Sequence, residues 1–91
     1  MEKVVAEFNV VGFTSEQYQQ VLNDLDAAGK EISAGRINHV AAERPDGLLI
    51  IDVWESEEAL NKFSETLIPV MKKNGVTPAQ PNLYPLHNII A

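Results

Sequence analysis

His39 and Asp52 are the side chains of this sequence best suited to moving a proton. A histidine changes charge near neutral pH, so it can act as general base or ligand donor, and a nearby carboxylate adjusts its affinity for the proton. Asp52 stands in the run Leu48 to Trp54, which is otherwise almost wholly apolar. A carboxylate there is costly unless it is paired or hydrated. Its partner is His39, Arg36 or a group from a second chain. Trp54 offers an aromatic wall, Tyr84 an O–H donor and Asn9 an amide, and His87, followed by Asn88, brings a second imidazole near the C-terminus. His39 and Asp52 are therefore the candidate catalytic pair, and Asn9, Trp54, Tyr84 and His87 the candidate ligand-binding residues. Each also has a plain structural use: a histidine hydrogen-bonded in the interior, a tryptophan in the core, an edge-strand tyrosine.

Composition removes several other chemistries. The chain has 91 residues and no cysteine, which excludes thiol nucleophiles and thiolate metal sites. The two histidines have no fixed-spacing partner of the His-x-x-x-His kind, so no metal is expected. There is no glycine-rich phosphate loop and no nucleophile elbow. A net charge of −6 repels a phosphate backbone, and the only adjacent cations, Lys72 and Lys73, fall at a predicted helix end where the dipole favours them. Nucleic acid is not an expected partner. No apolar run approaches the ~20 residues of a membrane span, and the opening residues are too polar for a signal peptide, which predicts a cytoplasmic chain away from the membrane.

The elements that must position these residues form one domain of residues 1–91. Residues 3–12 predict a strand with Val4, Ala6, Phe8 and Val10 on one face and Val5, Glu7, Asn9 and Val11 on the other. Thr14 and Gln17 form a capping box for a helix whose apolar stripe is Tyr18, Val21, Leu22, Leu25 and Ala28, ending at Gly29. Residues 30–35 read as a loop. Arg36 to Glu43 and Leu48 to Trp54 are strands joined across Pro45-Asp46-Gly47, strong turn chemistry. Ser56 caps a second helix with the stripe Leu60, Phe63, Leu67, Val70 and Met71; Pro69 should kink or interrupt it near Leu67. After Gly75 and an extended linker holding Pro78 and Pro81, Leu83 to Ile90 predicts a last strand, with Pro85 implying an edge or a bulge.

The order β-α-β-β-α-β predicts an α+β, ferredoxin-like fold: a four-stranded antiparallel sheet with two helices on one face. Two helices cover only one face of such a sheet. With Asp46-Gly47 as the hairpin loop, Leu49 pairs with Arg44, Asp52 with Ala41 and Trp54 with His39. The expected covered face holds Leu49, Ile51 and Val53 with Val4, Ala6, Phe8 and Val10. Ile50, Asp52 and Trp54 then share the open face with Ile37, His39, Ala41 and Glu43. A bare apolar face of that size predicts a homodimer that buries it and encloses a cavity.

The stretch from Ile50 to Leu60 (IIDVWESEEAL) resembles the strand-to-helix junction of the dimeric α+β barrel proteins, which include the antibiotic-biosynthesis-monooxygenase type. The Asp-Gly hairpin and the terminal segment Leu83 to Asn88 suit it too. The resemblance implies a dimeric barrel that binds a small apolar or aromatic molecule, and it opens the reading of a cofactor-independent monooxygenase acting on a polycyclic phenol or quinol. Haem-degrading members place an Asn on the first strand and a Trp and a His on the second helix. Here Asn9 stands for the Asn, but Phe63 takes the Trp position and Lys73 lies near the His position, so a haem cofactor is not expected. The alternative is a non-catalytic stress-type or interaction protein whose function is its dimer interface. A packed interface without a void favours the alternative; a pocket of several hundred Å³ favours ligand binding.

Overall fold

The computed structural model describes residues 2–90. The elements are β1 (Val4–Val11), α1 (Ser15–Ala27), a short 3-10 turn (Lys30–Ser33), β2 (Arg36–Arg44), β3 (Gly47–Trp54), α2 (Glu57–Lys73) and β4 (Asn82–Pro85). The four strands form one antiparallel sheet in the order β2-β3-β1-β4, the ferredoxin-like arrangement.

Local chemistry sets the helix ends. The Thr14 side chain accepts from the Gln17 backbone N–H at 3.1 Å, and Gln17 Oε1 accepts from the Thr14 backbone N–H at 3.0 Å, so two otherwise orphaned donors are satisfied reciprocally. Ser56 caps α2 by accepting from the Ala59 N–H at 3.1 Å. The α2 stripe then buries Leu60, Phe63 and Met71. Pro69 lies inside α2, and the helix runs through it to Lys73 without interruption. Its ring projects from an exposed position, so the lost backbone bond is left on the watered side. The helices are tied at one end: Asn74 Nδ2 donates to Asp24 Oδ2 at 2.9 Å, Gln17 donates to the Asn74 carbonyl at 3.2 Å, and Lys73 lies 3.5 Å from Asp24.

The sheet register departs from expectation in a way that decides where the chemistry lies. β1 pairs with β3 so that Val4, Ala6, Phe8 and Val10 oppose Trp54, Asp52, Ile50 and Leu48. All eight share the helix-covered face, where two joined clusters of buried side chains make the core. The expected open face of Ile50, Asp52 and Trp54 is therefore the covered one. The hairpin was also expected two residues out of register. Arg44 pairs with Gly47, and Pro45 and Asp46 form the loop; His39 pairs with Asp52 and Ala41 with Ile50.

Gly47 explains the hairpin. A Cβ on it would collide with the Val10 carbonyl oxygen and lie 2.9 Å from the Gly12 nitrogen. The glycine serves the close approach of β3 to β1 rather than the turn, and Gly12 N–H donates to the Asp46 carbonyl at 2.7 Å to close this corner.

β4 ends at Pro85 rather than at Ile90, and it is an edge strand, which a proline tolerates. Beyond it, Leu86 N–H still reaches the Lys3 carbonyl at 2.9 Å, after which the chain is irregular.

Candidate functional site

A cavity of about 410 Å³ lies between the sheet and the two helices. It is lined by residues of this one chain. Phe8, Val10 and Ile50 form its sheet wall, Val21 and Leu25 its α1 wall, and Leu60, Phe63, Leu67 and Met71 its α2 wall. The segment Pro78–Pro81 borders it. Against this apolar lining stand Tyr18, Arg36, His39 and Asp52.

Three of these four form a hydrogen-bonded chain. His39 Nδ1 lies 2.6 Å from Asp52 Oδ1, and His39 Nε2 lies 2.7 Å from the Tyr18 hydroxyl. As a carboxylate Asp52 can only accept, and the His39 tautomer that satisfies it carries its proton on Nδ1. That tautomer leaves Nε2 as an acceptor for the Tyr18 O–H. The ring planes of Tyr18 and His39 differ by only 5°, but their centroids are 6.1 Å apart, so the rings meet edge to edge through this bond.

Each member is placed by its element. His39 and Asp52 are a cross-strand pair on β2 and β3. Tyr18 comes down from the first turns of α1, its ring held edge-on against the buried Phe13 at 5.9 Å. Burial raises the Tyr18 pKa above its usual 10.0, with Asp52 pushing the same way and the Arg36 charge opposing. The hydroxyl is thereby kept in its donor form.

Arg36 reaches this face through a β-bulge. Regular pairing would set Ile37 opposite Trp54; instead Arg36 pairs with Trp54, Asn38 with Val53, and Ile37 is the extra residue. The inserted residue turns Arg36 onto the same face as His39. Its guanidinium carbon sits 5.6 Å from the Phe63 ring centre and 6.0 Å from that of Trp54. Among the described residues Arg36 has no ion-pair partner.

The other candidate residues lie elsewhere. Trp54 is fully buried against Phe63, with ring centres 5.0 Å apart, and is not part of the cavity lining. It is a core residue, whose burial contributes about 5 kcal/mol of transfer free energy. Its Nε1 has no hydrogen-bond partner among the described residues. Asn9 and Tyr84 are exposed on the opposite face of the sheet, Asn9 across from Leu49 and Tyr84 across from Val5. His87 is exposed beyond β4. The structure therefore brings His39 and Asp52 together and separates them from Asn9, Tyr84 and His87.

Tyr18 and Arg36 complete the cluster. Tyr18 had a signal in the sequence, as a hydroxyl-bearing ring on an otherwise aliphatic stripe that faces the sheet. The aim of Arg36 had none, because nothing in the sequence marks the bulge. Among the described residues no group of three or more His, Cys, Asp or Glu side chains is placed to hold a metal ion. No helix among them is long and apolar enough to cross a membrane.

No protein-family model and no curated protein matches this sequence. Solved structures do match in shape. A single-substitution variant of SnoaB, a cofactor-independent oxygenase from Streptomyces nogalater, superposes with a TM-score of 0.61 at 14% identity, over 97% of this chain and 94% of that one. A presumed antibiotic biosynthesis monooxygenase from Chloroflexus aurantiacus gives 0.59 at 13%, over 98% and 95%. A conserved protein from Methanosarcina mazei gives 0.54 at 19%, over 91% and 89%. The chain thus carries, over nearly its whole length, the ferredoxin-like α+β fold that the antibiotic-biosynthesis-monooxygenase-type structures share.

Proposed function

We propose that this protein binds an aromatic hydroxyl compound in the cavity between sheet and helices, and oxidises it with molecular oxygen without a cofactor. The observation that carries this reading is the Tyr18–His39–Asp52 chain opening into an apolar cavity of about 410 Å³, large enough for a small polycyclic molecule. The shared fold with a cofactor-independent oxygenase supports it.

The chemistry starts with a proton. A substrate hydroxyl bonded to Tyr18 Oη gives up its proton as Tyr18 passes its own to His39 Nε2. The imidazolium so formed is held by the Asp52 carboxylate on its other nitrogen. The resulting phenolate is electron-rich enough to reduce oxygen. For a phenol carrying an activated methylene, R₂CH₂ + O₂ → R₂C=O + H₂O balances with oxygen as the only oxidant, so no reductant is needed. The apolar walls keep the anion from bulk water.

The test is oxygen uptake with a panel of naphthalenediols and anthrones. Turnover that falls by 10²-fold or more in both His39→Ala and Tyr18→Phe supports the relay. Turnover unchanged in either variant, or no uptake with any member, removes it.

The open face favours a homodimer. Val11 and Val40 are 65% and 50% exposed there, and the half-buried Val5, Leu49 and Ile51 share that face. The chain is proposed to pair through this face, leaving each cavity within its own protomer. Light scattering at micromolar concentration should give twice the chain mass, and Val40→Lys should shift it toward one. A wild-type monomer would remove the dimer without touching the cavity.

A further inference from the structure

Resting on the aromatic-ligand reading above, we infer that the cavity takes an aromatic ligand carrying an anionic group as well as a hydroxyl, and that Arg36 binds the anion. Three observations converge. First, the bulge at Ile37 turns Arg36 into the cavity, on the same face of β2 as His39. A strand rises about 3.3 Å per residue, so the two side chains leave the strand roughly 7 Å apart. A rigid bicyclic aromatic spans that gap, with its hydroxyl at the Tyr18–His39 end and its carboxylate at the guanidinium.

Second, the guanidinium is not committed elsewhere. It lies against the rings of Phe63 and Trp54 and has no ion-pair partner among the described residues. Stacking on aromatic faces leaves the in-plane N–H donors free, the geometry that takes a carboxylate with two parallel bonds. In a chain of net charge −6, an unpaired half-buried cation at a cavity wall is a specific feature rather than part of a basic surface. Among the described residues Asp52 pairs with His39 and not with Arg36.

Third, a second hollow of about 300 Å³ shares Arg36, Phe63, Leu22 and Leu25 with the main cavity and continues toward the 3-10 turn. Its lining is more polar and includes Lys30 and Ser33 along with Asp26. Arg36 thus stands where an apolar chamber meets a polar one, the place where an aromatic body would pass into an acidic substituent.

The test uses 6-hydroxy-2-naphthoate and its methyl ester as probes in isothermal titration calorimetry with the full chain. The acid should bind at least 10-fold more tightly than the ester, and the preference should weaken as salt rises. Arg36→Met keeps the stem against Phe63 and Trp54 but removes the charge. It should abolish the preference while leaving the ester's affinity within about 2-fold. Arg36→Lys should retain part of the preference, and serves as the charged comparison if Arg36→Met melts early. Equal affinity for acid and ester in the wild type, or a preference that survives Arg36→Met, overturns the inference. Failure of both probes to bind overturns it as well. The oxidative reading is tested separately: acid-selective binding without oxygen uptake keeps Arg36 as the anion site and removes only the catalysis.

Discussion

Removing His39 should expose how much the fold depends on one hydrogen bond. Asp52 sits on the covered face of the sheet with its side chain 4% exposed, and among the described residues its only side-chain hydrogen-bond partner is His39 Nδ1, at 2.6 Å. Replacing His39 with leucine supplies apolar volume but leaves a carboxylate in an apolar wall with nothing to donate to it. Breaking a buried pair from one side costs about 3–5 kcal/mol. For a domain of this size that is a fall in Tm on the order of 15 °C or more. The double variant His39→Leu/Asp52→Leu removes both partners, and an apolar pair of similar volume is near neutral there. The double variant should therefore be more stable than His39→Leu alone, with a coupling energy of about 2 kcal/mol or more in the thermodynamic cycle. Urea unfolding followed by the fluorescence of Trp54 measures all four proteins, since this single tryptophan is fully buried against Phe63 and reports on the same sheet face. A His39→Leu cost under about 1 kcal/mol, or additive single effects, would show that Asp52 is hydrated or paired otherwise, and would refute this account of the site.

Three further outcomes follow from other parts of the molecule. Tyr18 has a raised pKa from burial, so the folded state holds its proton when the unfolded chain begins to lose it; stability should decline as pH rises above 10, and Tyr18→Phe should flatten that alkaline limb in pH-dependent unfolding. Asp24 is shifted the other way, chiefly by the hydrogen bond from Asn74 and then by Gln20, so its contribution is present above pH 3.8 and lost as pH falls below it; Asn74→Ala should reduce the acid-side slope in the same measurement. Gly47→Ala places a methyl against the Val10 carbonyl and should cost about 2 kcal/mol or more in urea unfolding, whereas Gly12→Ala, with open space around its Cβ position, should be limited to the strain of its positive φ.

The element order, both helix caps and the edge position of Pro85 were legible in the sequence because each rests on local chemistry: a capping pair at Thr14 and Gln17, a serine at Ser56, a missing donor at Pro85. The pairing of His39 with Asp52 was among the alternatives that the odd carboxylate in β3 raised. Which face they occupy was not legible. β3 is apolar at almost every position, so both of its faces could pass for the core, and the phase had to come from β1 through Gly47. Once β3 turned over, Asn9 and Tyr84 fell on the far side from His39. β4 is shorter than its sequence predicts: Leu86, Ile89 and Ile90 are strand-type residues, but β1 begins at Val4, so beyond Pro85 the ladder continues only as the bond from Leu86 to Lys3. The bulge at Ile37 has no local signature, since its effect is fixed by the residue count between two strand ends.

That residue count bears on how the cavity could be inherited and altered. β2 is an edge strand, bonded only to β3, so adding or removing one residue near its start disturbs no other strand. Two residues, Arg36 and Ile37, compete for the one place opposite Trp54, and the bulge gives it to the arginine. Deleting Ile37 would straighten the strand and keep the arginine there, whereas deleting Arg36 would set the isoleucine in its place and exchange a charged wall for an oily one, with the tyrosine, histidine and aspartate left where they are. On the function proposed above, selectivity would be separable from proton chemistry at the level of the gene, and a descendant could change what it accepts without rebuilding what it does.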